Sequence, residues 1–254
     1  MLTLTQPKVL QTTDLDFYKK NGYLLTRQPL FNSEEQFQAL SAIFEDLLKN
    51  KGDKKADELD TPHFTHPELL EFLLAPEVLD LVEDLIGPNI GLFSSHFICK
   101  EPKVGRRTPW HEDSAYWKGK FDELDKIVTI WLALDPTSQE NGCMGVVPGT
   151  QVNGFSEYEQ VLDKENSTFS TEIKRGTFDL DEVVWFELEE SHYSLHDARI
   201  IHGANANNSS YRRAGYTMRY FSLDMKFNPA SAPNHKLYHA RGENIANNPL
   251  IYLG

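Results

Sequence analysis

The chain has 254 residues, 40% of them hydrophobic and 11% aromatic, which suffices for one large domain with a packed core. A net charge of -13 argues against non-specific binding to nucleic acid or an anionic membrane, and no apolar run nears the ~20 residues a membrane span needs. The opening MLTLTQPKVLQTTDLDFYKK lacks a basic start followed by an apolar run, and Cys99 and Cys143 form no CxxC, so the expectation is a reducing, cytoplasmic compartment with no disulfide framework.

Leu15 to Tyr18 reads as a short helix stopped by Asn21-Gly22, and Tyr23 to Leu25 as a strand. Asn32 or Ser33 can cap a helix running to about Asn50, with Phe37, Leu40, Ile43, Phe44, Leu47 and Leu48 at helical spacing. Lys51 to Asp60 is charged and reads as a mobile loop. A second helical region begins near Pro67; Pro76 should divide it in two, and Gly87-Pro88-Asn89 ends it. From Ile90 the period changes to short strand-like runs: Leu92 to Lys100, Ile127 to Leu134, Met144 to Val147, Val183 to Phe186, Tyr193 to His202 and Tyr216 to Leu223. Helices followed by many short strands predict an α+β chain, mainly β, with a double-sheet barrel and helices packed outside it.

The stretch PWHEDSAYW carries the chemistry. On a strand, residues i and i+2 share a face, so His111 and Asp113 would aim an imidazole and a carboxylate at one point. A second histidine would complete a two-histidine, one-carboxylate set, which holds Fe(II) with positions left open for a cosubstrate and O₂. The pair alone is weak: nine histidines among 38 acidic residues should give roughly one His-x-Asp/Glu by chance. His66-Pro67-Glu68 is a second match, read as structural because it opens a helix. Context strengthens the first. His202 ends an apolar strand, Asn205 to Ser210 make a turn, and Arg213 follows His202 by eleven residues, so a hairpin could return it beside the histidine. A guanidinium there suits bidentate binding of a carboxylate.

The pieces SSHFICKEP, WHEDSAYW, VTIWLALDPTSQENGCMGVVPGT and HGANANNSSYRRAGYTMRY, with DFYKKNGYLL and HARGENIANNP, resemble the phytanoyl-CoA dioxygenase family of Fe(II)/2-oxoglutarate oxygenases over nearly the whole chain. The resemblance implies a double-stranded β-helix, the jelly-roll or cupin-like core, in a single domain over 1–254. Its helical flank would cover about 1–89, the core about 90–225 and a C-terminal extension 226–254. It implies His111, Asp113 and His202 as iron ligands and Arg213 as anchor of the 2-oxoglutarate distal carboxylate. Thr129 and Trp131, on one face of VTIWLAL, would line the cosubstrate pocket, and Trp117 matches an aromatic near the iron. Relatives often have serine where this chain has Ala204, so one possible hydrogen bond to 2-oxoglutarate is missing. Halogenating relatives carry a small residue at the position of Asp113, so a carboxylate there favours hydroxylation or a related oxidation.

Other residues divide between chemistry and structure. Arg219 shares strand parity with Arg213 and could meet the substrate or an acidic neighbour; Arg212 should point the other way. His196 shares parity with His202, as a neighbour of the site or a satisfied interior histidine. Lys100 could add charge near a bound carboxylate, with a surface lysine the simpler reading. His63 and His96 read as structural, and His192, His235 and His239 have no ligand spacing. Lys51 to Asp60 and Gln151 to Arg175 are candidate lids. The implied reaction oxidises a small-molecule substrate while 2-oxoglutarate and O₂ yield succinate and CO₂. The acidic balance and lack of a basic patch favour a small polar, amino-acid-like metabolite over a coenzyme A thioester. A zinc hydrolase on the same three ligands and a silent jelly-roll binding protein are the alternatives.

Overall fold

The structure is a computed structural model that describes residues 9–253; the first eight residues, part of the stretch read for a leader, and Gly254 lie outside it. Local signals build the N-terminal third. Helix α1 (Thr12–Asn21) stops at Gly22, whose φ of 78° is a left-handed conformation that glycine adopts without a steric penalty. Strand β1 (Tyr23–Pro29) follows. Ser33 caps α2 (Glu34–Lys49) by accepting a hydrogen bond from Gln36 N at 3.3 Å, and Phe37, Leu40 and Phe44 form the buried stripe. After the short β2 (Leu59–Asp60) come α3 (Leu70–Leu73) and α4 (Pro76–Ile86). Pro76 divides the helical region as expected, because its missing N–H costs nothing in the first turn of α4. Among the described residues no helix is long and apolar enough to cross a membrane.

The strands that follow are β3 (Ile90–Lys100), β4 (Thr108–His111), then helix α5 (Asp113–Trp117), β5 (Ile127–Ala133), β6 (Met144–Val146), β7 (Tyr158–Gln160), β8 (Thr171–Ile173), β9 (Val184–Trp185), β10 (His192–Asp197), β11 (His202–Ala204), β12 (Arg213–Ser222), β13 (Leu237–Arg241) and β14 (Leu250–Ile251). The major sheet has the order β1-β10-β5-β12-β3-β13-β14, with β2 also paired to β3; the minor sheet has the order β4-β11-β6-β9. This is a double-stranded β-helix, mainly antiparallel, with helices against one outer face. Strands β7 and β8 pair only with each other.

Strand parity divides the major sheet. Val128, Ile130 and Leu132 of β5 and Ala214, Tyr216, Met218 and Tyr220 of β12 join the core that includes α2 and α4. Thr129 and Trp131, with Arg213, Thr217 and Arg219, have the opposite parity and turn inward, Thr129 lying opposite Arg219 in the register. Phe93 and Trp117 on one side and Tyr23, Trp131, Met144 and Phe186 on the other belong to two smaller apolar clusters.

Three sequence expectations change here. Tyr193 to His202 is two strands in different sheets. Asp197 Oδ1 accepts from Arg199 N at 2.8 Å, an Asx turn that ends β10, and the chain crosses to the minor sheet as β11. Arg213 therefore does not return by a hairpin, since β11 and β12 lie in different sheets. The segment from Lys51 is charged only in part as a loop: Ala56, Asp57 and Leu59 are buried, and β2 pairs with β3 through Leu59↔Phe97 and Asp60↔His96.

Candidate metal centre

The centre forms where the minor sheet pairs its two histidines. His111 ends β4, His202 begins β11, and the two are register partners with ring centroids 4.1 Å apart. Asp113 is not on a strand with His111: the strand ends, Glu112 precedes the helix, and Asp113 is the first residue of α5. The helical turn, not strand parity, brings Asp113 Oδ1 to 3.7 Å from His111 Nε2. One donor atom from each of His111, Asp113 and His202 lies within 4.8 Å of the others, and all three residues are buried.

The imidazoles are oriented from behind. His111 Nδ1 lies 2.7 Å from Pro109 O and His202 Nδ1 3.0 Å from Ile200 O. A carbonyl only accepts, so each Nδ1 carries the hydrogen and each Nε2 keeps its lone pair for the shared point. Burial, reinforced by His111, pushes the pKa of His202 well below 6.5, which keeps that ring neutral. Burial also acts to raise the pKa of Asp113, but Arg219, His111 and His202 outweigh it and hold the carboxyl well below its usual range. Two imidazoles and one carboxylate are the donor set of a facial Fe(II) site, so these residues fit the metal. Glu112, between the ligand candidates, is buried and accepts from Ser156 N at 3.0 Å and Tyr158 OH at 2.5 Å, which ties the loop before β7 to the centre.

A cavity of about 520 Å³ opens from the centre. Arg213, Trp131, Ala204 and Thr217 line it, as do His196, Arg219 and Trp117. Arg213 is fully buried, donates from Nε and Nη2 to Gly142 O at 2.9 and 2.5 Å, and lies 5.3 Å from the Trp131 ring centre. Burial lowers its pKa to about 10, so it stays a cation, yet among the described residues no carboxylate pairs with it. A buried unpaired guanidinium is costly, and it marks a place for an anion. Gly215, between Arg213 and Thr217, leaves room for Trp131: a Cβ there would lie 2.1 Å from the indole.

Thr129 does not line the cavity; it lies opposite His196 in the register, and Thr129 Oγ1 and His196 Nδ1 are buried without a partner among the described residues. His196 sits on β10, not on the strand of His202, but its ring comes 5.0 Å from that of His202, and burial lowers its pKa to about 4. Arg219 donates to Asp113 Oδ2 at 3.3 Å and lies 5.7 Å from the Trp117 ring centre. Arg212 points away, to Asp135 and Glu45. Lys100 is no surface lysine: it is fully buried, with Nζ 2.5 Å from Asn205 O, because its partner Arg213 and the β11–β12 connection cover it. Among the cavity residues that sequence reasoning did not place at the site are His96, His235, Lys120 and Arg106, the last paired with Asp57 of the candidate lid segment. Inward parity with Ser94 on β3 was a signal for His96; nothing local marked the others.

A family profile described as phytanoyl-CoA dioxygenase matches residues 18–215. The chain belongs to that family. It is an Fe(II)- and 2-oxoglutarate-dependent dioxygenase, with O₂ as the second cosubstrate. It is 30% identical to the peroxisomal phytanoyl-CoA dioxygenase of Mus musculus over 255 aligned positions, covering 88% of this chain and 70% of that one. It is 28% identical to a probable phytanoyl-CoA dioxygenase of Caenorhabditis elegans, over 85% and 77% of the two chains. Among solved structures, the non-heme α-ketoglutarate-dependent carbocyclase SnoK of nogalamycin biosynthesis superposes with a TM-score of 0.68 at 25% identity, covering 91% of each chain.

Proposed function

We propose that this dioxygenase hydroxylates a small polar metabolite, releasing succinate and CO₂. The family fixes the reaction class; the cavity supports the substrate class. Its lining includes Asp57, Glu58 and Asp60 with Arg106 and Lys120, and Arg106 is already paired with Asp57 and Glu58. That pairing leaves Asp60 and Lys120, one charge of each sign, which is too little positive charge to hold the several phosphates of a coenzyme A thioester. Free, buried cysteines support the cytoplasmic reading, and the net charge of -13 supports a chain that does not bind nucleic acid.

In this reading His111, Asp113 and His202 would hold the iron, each with one donor atom. When bound, the iron and 2-oxoglutarate supply the oxidising power of the reaction. Arg213 takes the distal carboxylate of 2-oxoglutarate, with Trp131 beside it and Thr129 behind the same wall. Pro109 and Ile200 fix the imidazoles by accepting their Nδ1 hydrogens. Arg219 fixes the rotamer of Asp113, and His196, Trp117 and Arg219 face the substrate. The described residues act as one catalytic domain, a reading supported by the pairing of β13 of the C-terminal extension with β3.

The test is a succinate-release screen with Fe(II), 2-oxoglutarate and O₂ across polar metabolites and acyl-CoA thioesters. Stimulation by polar metabolites is expected. Preference for acyl-CoA would overturn the substrate class, and no succinate under any condition would leave a hydrolase or a binding protein.

A further inference from the structure

Two cavity side chains are only half used. Arg219 commits Nε to Asp113, while its two terminal nitrogens have no hydrogen-bond partner among the described residues, although the side chain is only 13% exposed. A guanidinium so shielded from water normally has its fork paired. Lys120 lines the same cavity, and no acid pairs with it among the described residues.

The second is His96. Its Nε2 lies 3.0 Å from Asp57 O, which only accepts, so Nε2 carries the hydrogen and Nδ1 is a bare lone pair. Burial lowers the pKa of this ring, against the pull of Asp60, which favours the neutral form. Nδ1 stands 3.8 Å from Asp60 Oδ1. The half-buried ring nitrogen thus sits beside a carboxylate whose side chain is 65% exposed at the cavity opening, and no side-chain donor among the described residues bonds to either. The register places Asp60 opposite His96 and His96 opposite Thr217, and Arg219 is on the next inward row of β12. Acceptors and free donors therefore occupy adjacent rows of one wall, beside the apolar shelf of Phe93 and Trp117.

We propose that the substrate is a zwitterion of amino-acid type, its acid group docked on the free edge of Arg219 and its ammonium held between His96 Nδ1 and Asp60. An ammonium brings three donors and a positive charge, which suits this pair of acceptors. A neutral polyol would leave Arg219 unpaired, and an acid without the amine would meet Asp60 with like charge. The inference rests on the oxygenase reading above and narrows its substrate.

The full chain with Fe(II), 2-oxoglutarate and O₂ is assayed for succinate release with the proteinogenic, β-, γ- and N-alkylated amino acids. Each active compound is then compared with its deaminated and decarboxylated analogues. Stimulation by a zwitterion is expected, with KM rising about tenfold or more when either charge is removed. Asp60→Asn should raise KM for the zwitterion about tenfold and change KM for the deaminated analogue less than about twofold. Equal changes for both compounds would overturn the ammonium assignment. Silence from every zwitterion would overturn the proposal as a whole. Slow conversion of 2-oxoglutarate without substrate separates the two levels: if it occurs, the failure belongs to the zwitterion alone, and if no succinate forms with anything, the oxygenase reading fails too.

Discussion

The two faces of β12 differ in how their polar atoms are served. On the face toward the helices, Tyr216 OH donates to Ser95 Oγ at 2.9 Å, Ser95 Oγ contacts His63 Nδ1 at 2.7 Å, and Tyr220 OH donates to Leu73 O at 2.6 Å. His63 Nε2 is the exception there, buried and unpartnered. On the inward face, among the described residues, Arg213 has no carboxylate, Arg219 uses one nitrogen of its fork, and Thr129 and His196 keep orphaned atoms. The outer face is a finished core. The inner face carries unpaired groups whose cost is recovered only when ligands arrive. A fold with one apolar and one unsatisfied face is stable because the first supports the second.

The largest effect should come from Arg213. Arg213→Leu removes the buried charge proposed to anchor the cosubstrate, so KM for 2-oxoglutarate should rise about a hundredfold or more. The metal-free protein should lose little, because the guanidinium forms no ion pair among the described residues and burial already disfavours it. Titration of 2-oxoglutarate and a thermal melt check both halves. Unchanged affinity for 2-oxoglutarate would erase the distinction between the faces. Tyr216→Ala is the mirror experiment. It empties a fully buried site stacked on Phe97 at 3.9 Å and should cost about 3–5 kcal/mol in urea unfolding, with turnover per folded molecule preserved.

The outer face was the more legible one. Helical spacing in Phe37, Leu40 and Phe44 and alternation in Val128, Ile130 and Leu132 announce burial directly, because apolar periodicity is a local property. The inner face was readable where residue identity carried chemistry, as with His111, Asp113, His202 and Arg213. Its path was not. That β10 and β11 lie in different sheets depends on the Asx turn at Asp197, and the position of Asp113 depends on a five-residue helix, both short features inside apolar or polar runs. Lys100 was misjudged for a related reason: what covers it is set by a residue 105 positions away.

Gly215→Ala sharpens the comparison at smaller cost. Its neighbours Ala214 and Tyr216 serve the outer core, while its missing side chain serves the inner wall. The added methyl must displace Trp131, an overpacking worth about 1–3 kcal/mol. The displaced indole lies beside Arg213, so KM for 2-oxoglutarate should rise about tenfold. A loss of stability with unchanged KM would assign Trp131 to packing rather than to the cosubstrate.

The smallest effect concerns acid. His63 belongs to the outer face, and burial, aided by His235 and Lys236, lowers its pKa from 6.5 to about 3. Between those values the unfolded chain binds the proton and the folded chain does not, so His63 contributes its full stabilisation above 6.5 and loses it as pH falls toward about 3. The slope is at most about 1.4 kcal/mol per pH unit. His63→Gln should flatten urea-midpoint curves between pH 6.5 and 4 by up to that amount. Fe(II) and 2-oxoglutarate should raise both curves and leave the difference between them intact, because His63 bonds to Ser95 on the face that ligands do not reach. A difference that shrinks when ligands bind would mean that the two faces are coupled through β3, and the outer core would then be part of the binding apparatus rather than its support.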